Sequence, residues 1–389
     1  MNIGYTKRQI ELSKSIPKPQ KIKGPAGTGK TTILPRRAVN AYERTKAQVL
    51  ILTYNISIKN KIKKLINDID ASLIDTNKIY VDHYHAFMSL HKRYKMEYKY
   101  HAIFVDEVQD FEESWVKNIR NCLVLNGEIV FFADEKQNVY SREMEKEDKA
   151  PYTGVSGAWN KLKNTGFRSN EKIITLANKF QHEFLLGKYE YEEIGKKEKL
   201  SFIDLITRNL VKYYSCDEEY FDVNIMIDIF NNVRRQYNIQ TQEICILCSN
   251  CEPLRRLYDR FIEEDKNIDI VRTFTSTEEY DSANCKSIER DLKNNFNVYD
   301  NHSMKMSTIQ SFKGLESKTV FLIILRNDTE AGTNESIYTA ITRACNNLII
   351  INFGNKLYDE FFEQNVEDKE KYTFDVESIP IVESSGFKI

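Results

Sequence analysis

The sequence predicts an α/β fold in two lobes, each a parallel sheet covered by helices on both faces. Three observations carry that expectation. Continuous apolar runs such as QVLILTY (48–54), AIFVD (102–106) and KTVFLIIL (318–325) read as strands buried on both sides. Amphipathic stretches such as SIKNKIKKLINDI (57–69), apolar at Ile58, Ile62, Leu65, Ile66 and Ile69, read as the helices that cover them. A length of 389 residues favours two domains over one.

The elements follow in order. QKIKG (20–24) reads as a strand that stops at a glycine-rich turn, and TTILPRRAVNAYERT (31–45) as a helix in which Pro35 implies a local kink. KIYVDHY (78–84), AIFVD (102–106) and EIVFFAD (128–134) are further strands of the first lobe, residues 1–163. SREMEKEDKAPYTG (141–154) is polar and reads as the loop between the halves. The second lobe, 164–375, opens with a helical stretch at 224–237, then strands at 243–249, 318–325 and 347–354. From Asn355 the chain carries 9 Asp+Glu against 4 Lys+Arg and reads as a solvated, partner-facing segment, with 376–389 as a C-terminal tail.

Composition excludes several classes. No apolar run is long enough to span a bilayer, and MNIGYTKRQIELSKS has no apolar core of a signal peptide, so a cytoplasmic location and no membrane are expected. Seven scattered cysteines fit a reducing compartment. CILCSNC places Cys245, Cys248 and Cys251 at metal-ligand spacing, but residues three apart on a strand face opposite sides, so core packing is the expectation. Net charge is -1, yet residues 1–100 hold 20 Lys+Arg against 7 Asp+Glu, a surface suited to a polyanion.

GPAGTGKT, Gly24 to Thr31, sits after a strand and before a helix. Glycines let backbone N–H groups close around phosphate oxygens, and the helix N-terminus favours negative charge. Gly24, Pro25, Ala26, Gly27, Thr28, Gly29, Lys30, Thr31 and Thr32 are thus the candidate nucleotide cradle, with Lys30 on the outer phosphates and the Thr31 hydroxyl on Mg²⁺. Strand 102–106 ends in DEVQD (106–110). Buried carboxylates need a counter-charge. A cation supplies it if Asp106 holds Mg²⁺, leaving Glu107 to polarise an attacking water. ATP and Mg²⁺ are the expected cofactors.

DEVQD resembles the D-E-x-Q-D box of superfamily-one helicases of the UvrD/Rep type, and further boxes follow in that family's order. The resemblance implies two RecA-like P-loop lobes that hydrolyse ATP between them and move 3′ to 5′ on single-stranded DNA. It assigns Gln9 to the adenine. LTYN (52–55) and VDHYHAF (81–87) are similar to DNA-facing boxes, which implies roles for Thr53, Tyr54, His85 and Phe87, with His83 replacing the usual Thr. FADEKQNVY (132–140) matches at Asp134, Gln137 and Tyr140: Gln137 would sense the terminal phosphate and Tyr140 meet DNA. Arg142 stands where many members carry a base-stacking Trp, leaving Trp159 as a replacement that spacing does not place. GFRS (166–169) puts Phe167 on the adenine and Arg168 on the γ-phosphate. STIQSFKGLES (307–317) brings Thr308 to DNA and Glu316 to the nucleotide. YTAITRA (338–344) places Arg343 as an arginine finger.

The family's large insertions are missing. Phe87 to Asp106 leaves 18 residues and Arg168 to Thr308 leaves 139, so a stripped two-lobe core is expected. Partners implied are single-stranded DNA and a protein such as a nuclease of a repair or defence system. An ATP-driven switch regulating that partner is the alternative to a motor, and RNA the alternative track.

Overall fold

The computed structural model describes residues 5–93, 99–145, 149–162, 169–195, 209–217, 220–296 and 302–372. In the first lobe the chain runs through α1 (Lys7–Leu12), β1 (Gln20–Lys23), α2 (Lys30–Thr45), β2 (Val49–Thr53), α3 (Ile56–Asp70), α4 (Ser72–Asp75), β3 (Ile79–His83), α5 (Tyr84–Arg93), β4 (Tyr100–Val105), α6 (Glu113–Arg120) and β5 (Leu123–Ala133). A two-stranded hairpin, β6 (Met144–Glu145) and β7 (Ala150–Pro151), precedes a return strand, β8 (Asn160–Lys161). The sheet is wholly parallel in the order β3-β2-β4-β5-β1-β8. Alternation sorts its side chains: Val49 and Ile51 join the core under α2 and α3, Leu50 and Leu52 the core under α5 and α6. Each of these four is fully buried, which is why β2 reads as an unbroken apolar run.

The second lobe continues with α7 (Glu171–Phe180), β9 (Leu210–Cys216), β10 (Ile244–Cys248), β11 (Ile270–Arg272), β12 (Met304–Thr308), β13 (Ser317–Leu325), β14 (Ala344–Phe353) and β15 (Asp368–Tyr372). These seven strands form a second parallel sheet, β11-β12-β10-β13-β14-β9-β15. Helices Val223–Tyr237 and Cys251–Glu264 pack on one face; α7 and helices Thr333–Ile341 and Lys356–Asn365 pack on the other. Two parallel sheets sandwiched by helices are two RecA-like lobes.

Two expectations need correction. The segment from Asn355 is not a solvated tail as far as Tyr372: Tyr358, Phe361 and Phe362 are core residues, and β15 pairs with β9. Glu360, Glu367 and Glu370 are exposed on this segment, and charge counting could not separate them from the buried aromatics between them. Residues 141–154 do not simply link the halves, because β8 returns to pair with β1. Helix α2 runs from Lys30 to Thr45 with Pro35 inside it. Cys245 and Cys248 are fully buried in β10, as expected of core residues.

Strand register decides what meets at the open end of the first sheet. Lys23 pairs with Ala133 and Leu52 with Val105, so the glycine-rich turn, Asp134, Thr53 and Asp106 emerge side by side.

Candidate functional site

The glycine-rich loop is braced from below by α1. Thr6 and Gln9 form a reciprocal capping box: the Thr6 hydroxyl accepts from the Gln9 N–H and the Gln9 Oε1 from the Thr6 N–H. That fixes Gln9, whose Nε2 donates to the Thr28 carbonyl at 3.1 Å. Gly29 sits beneath it at φ +91°, a backbone conformation that favours glycine, and a Cβ there would displace the Gln9 amide. The amide of Gln9 is thereby committed to the loop. Lys30, 6% exposed at the head of α2, donates to the carbonyls of Gly24 and Pro25 and lies 3.5 Å from Asp134. Thr28 is tied to the Pro25 carbonyl at 2.8 Å, and Thr31 and Thr32 are half-buried on the first turn of α2.

Beside this loop lies the acidic tip of β4. Asp106 is fully buried, and neither side-chain oxygen hydrogen-bonds to a described residue. Burial, then the charge of Glu107, pushes its carboxyl up to about 7. An orphaned buried carboxylate beside a half-buried threonine hydroxyl fits a divalent cation, so Asp106 and Thr31 could hold Mg²⁺. Glu107 occupies a left-handed backbone conformation, φ +51°. Burial acts to raise its carboxyl, but Lys313, Lys30, Arg343 and the Gln109 amide together hold it below the usual range. The Gln109 side chain is the hub here: its amide N–H donates to Glu107 and its oxygen accepts from the Asp134 N–H.

The second lobe closes the site. Lys313, 1% exposed, places its ammonium 2.7 and 2.8 Å from the two oxygens of Asp110, donates to the Gln137 carbonyl, and lies 3.8 Å from Glu107. Arg343, also buried, donates from Nη2 to Gln137 Oε1 at 3.0 Å, while Gln137 Nε2 donates to Asp134 at 2.7 Å. Arg343, Gln137, Asp134 and Lys30 thus form one chain of contacts across the cleft. Glu316 lines the same cleft with the glycine-rich loop, Glu107 and Arg343. Asn55 adds a second seam: its Nδ2 reaches the carbonyls of Gln310, Ser311 and Lys313, and Lys61 reaches that of Gly314. Phe167 and Arg168 lie outside the described residues.

Next to the cleft, on the same open end of the first sheet, aromatic rings gather. Tyr54 lies edge-on to Tyr140 at 4.8 Å and near-parallel to Trp115 at 6.0 Å. Tyr84 stacks on Trp115 at 5.0 Å, and His85 meets its edge at 4.8 Å. His85 is exposed, and Tyr54, Trp115 and Tyr140 are half-buried. His83 takes over the capping role that a threonine would fill: its Nδ1 accepts from the Ala86 N–H at the start of α5. Thr53 and Thr308 turn inward. Their hydroxyls serve Asn55 and the Ser311 N–H respectively.

One expectation fails on burial. Phe87 is 4% exposed and packs with Tyr100 and His91 in the core under α5, so it offers no face to a base. Trp159 is likewise buried, beneath the Lys21 ammonium, and is no stacking surface. Sequence reasoning passed over Trp115, Asn55 and the partnership of Asp110 with Lys313. The last had a weak signal: a carboxylate and an ammonium, each next to a phenylalanine, Phe111 and Phe312, need a counter-charge if buried.

The family described as an AAA domain matches residues 9–143, and the family described as the viral superfamily 1 RNA helicase core domain matches residues 223–352. No curated protein matches the chain. Among solved structures it is similar to the helicase of an arterivirus, nonstructural protein 10, solved with DNA, at 11% identity and a TM-score of 0.42. That match covers 91% of this chain and 65% of the viral one, so the chain spans about two-thirds of the length of its neighbour. The two family matches fall one on each lobe. They support an enzyme of the superfamily-one helicase class, an ATPase.

Proposed function

We propose that the chain is an ATP-dependent translocase on single-stranded nucleic acid, of the UvrD/Rep type, moving 3′ to 5′. The observation that carries the ATPase half is Arg343, a second-lobe guanidinium held on Gln137 inside the cleft that the first lobe's Lys30 and Glu107 line. Hydrolysis at such a site needs both lobes, so lobe spacing follows the nucleotide. Lys30 exchanges its loop carbonyls for phosphate oxygens, Glu107 accepts the proton of the attacking water, and Arg343 stabilises charge on the transferred group. Asp106 and Thr31 would hold Mg²⁺, which would supply charge neutralisation on the phosphates. The D-E-x-Q-D and K-G-L-E boxes support the UvrD/Rep branch. The open aromatic end of the first sheet, with Tyr54, His85 and Tyr140, supports a track on which bases stack.

RNA as the track is the second reading, favoured by the family match over residues 223–352. The lack of large insertions suits a motor that unwinds poorly alone and serves a protein partner such as a nuclease. ATP turnover measured with single-stranded DNA, duplex DNA and RNA in parallel tests the proposal. Stimulation by single strands, abolished in Glu107→Gln with nucleotide binding retained, is expected. Turnover indifferent to every nucleic acid, with partner binding that depends on nucleotide, would instead establish a switch.

A further inference from the structure

Helix Thr333–Ile341 of the second lobe packs along the 134–141 segment of the first. At its start, a Cβ on Gly332 would lie 2.9 Å from the Val139 carbonyl oxygen and 2.8 Å from Ser141 Oγ. Just past its end, Arg343 donates to Gln137. Tyr338 comes between these two contacts. It is fully buried, yet its hydroxyl finds no hydrogen-bond partner among the described residues. Burial, then the charge of Asp134, holds that hydroxyl protonated well above its usual range; Glu192, Arg343 and Glu135 act on it more weakly. Of the carboxylates that act on it, two are taken: Glu135 holds Lys23 at 3.0 Å and Glu192 holds Lys136 at 3.3 Å. Asp134, 1% exposed, is used on one side only. Its Oδ2 accepts from Gln137 at 2.7 Å and lies 3.5 Å from Lys30, while Oδ1 has no partner among the described residues. An unspent buried donor and an unspent buried acceptor thus stand on opposite lobes.

We propose that Tyr338 is a positioning residue for hydrolysis, its hydroxyl donating to Asp134 Oδ1 when Lys30 moves to the phosphates of ATP. The inference rests on the ATPase reading above. In the nucleotide-free protein Lys30 lies beside Asp134 and offsets part of its charge. Once Lys30 is drawn to phosphate oxygens, Asp134 stays buried with only the neutral Gln137 amide on its side chain. A buried carboxylate in that state favours any further donor within reach. The Tyr338 hydroxyl is the one that lobe closure carries toward it. The bond ties the helix that leads into Arg343 to the turn that carries Gln137, so both groups are set together only with nucleotide present. Arg343 Nε already donates to the carbonyl of Thr339, next to Tyr338, at 3.3 Å, which passes a shift of Tyr338 on to the guanidinium. Packing alone does not account for the hydroxyl. Phenylalanine fills the same space without burying an unpaired polar group, which is destabilising.

The test compares wild type, Tyr338→Phe, Asp134→Ala and the double variant. Each is melted without nucleotide and titrated with a fluorescent, non-hydrolysed ATP analogue and Mg²⁺. Without nucleotide, Tyr338→Phe should melt at or above the wild-type temperature, because it removes an unpaired group. Its affinity for the analogue, and its kcat/KM for ATP, should fall by about 10- to 150-fold, the range for one hydrogen bond to a charged group. In the Asp134→Ala background the same substitution should change affinity by less than about twofold, since the acceptor is gone. A tyrosine that serves packing alone gives the opposite pattern, a lower nucleotide-free melting temperature with affinity kept. Unchanged affinity in Tyr338→Phe overturns the proposal whatever its stability. A full loss in both backgrounds overturns the pairing with Asp134. If wild type does not bind the analogue, the ATPase reading itself fails and takes this proposal with it.

Discussion

Replacing Asp110 by Asn should loosen the two lobes without unfolding either. Asp110 and Lys313 are each 1% exposed and meet at 2.7 and 2.8 Å from opposite sides of the cleft. Removing one partner of a buried ion pair costs about 3–5 kcal/mol, because the remaining charge stays buried without compensation. Lys313 keeps the Gln137 carbonyl and has Glu107 at 3.8 Å, so the lower end applies, about 3 kcal/mol. The pair joins lobes rather than elements of one lobe, so this energy falls on the closure equilibrium, a shift of about 10² toward open. Small-angle scattering of the nucleotide-free protein should show an increased radius of gyration for Asp110→Asn, and turnover should fall at least tenfold. Asp110→Leu combined with Lys313→Met should be less open than Asp110→Asn alone, since no orphaned charge remains. Scattering and turnover indistinguishable from wild type would refute the assignment of Lys313 as the interlobe tie. So would a double variant as open as the sum of its parts.

Asp106→Asn should raise the melting temperature in EDTA while abolishing hydrolysis. The carboxyl is pushed from 3.8 up to about 7 by burial, so the stability it contributes is complete below about pH 4 and is lost as pH rises through 7. The variant's advantage should therefore be absent at pH 4.5 and full at pH 8, about 1–3 kcal/mol after the cost of a buried amide is deducted; a pH-independent difference would contradict this. Arg343→Ala should reduce turnover by about 10³- to 10⁵-fold with much smaller loss of nucleotide affinity, checked by single-turnover assay and nucleotide titration. Tyr54→Ala should weaken single-strand binding by about 1–3 kcal/mol per base contacted. Phe87→Ala should instead destabilise the first lobe by about 3–5 kcal/mol in urea melts, a cavity effect.

What could be read from the sequence follows the kind of force involved. The strands at 48–54, 102–106 and 318–325 announced themselves because a parallel sheet buries both faces and leaves only apolar letters. The sequence LVKYYSC, now β9, hid because Lys212 is buried with Asp368 and Glu370 of β15 as counter-charges, and a buried lysine reads as surface. The cradle at 24–31 was legible because close backbone approach demands glycine. Arg343 was legible only through its ordered box, since nothing local says that an arginine beside Thr342 will cross a cleft. Phe87 was misread because an aromatic letter carries no sign of which way it faces, and here the core had the stronger claim.

The contact between Gly314 and α3 bears on how far such a machine can move. Gly314 has φ +81°, and a Cβ placed on it would lie 2.3 Å from the Cδ1 of Ile58. The lobes therefore meet here through the Gly314 backbone and the tip of the Ile58 side chain, and the left-handed backbone is the reason glycine is favoured. The attraction of Lys313 for Asp110 grows smoothly as the gap narrows, whereas the repulsion at Gly314 rises within a few tenths of an ångström. A smooth pull against an abrupt stop makes a detent. If the lobes close on nucleotide as proposed, this close approach of backbone to the Ile58 tip would oppose the pull of Lys313 on Asp110 at the end of closure.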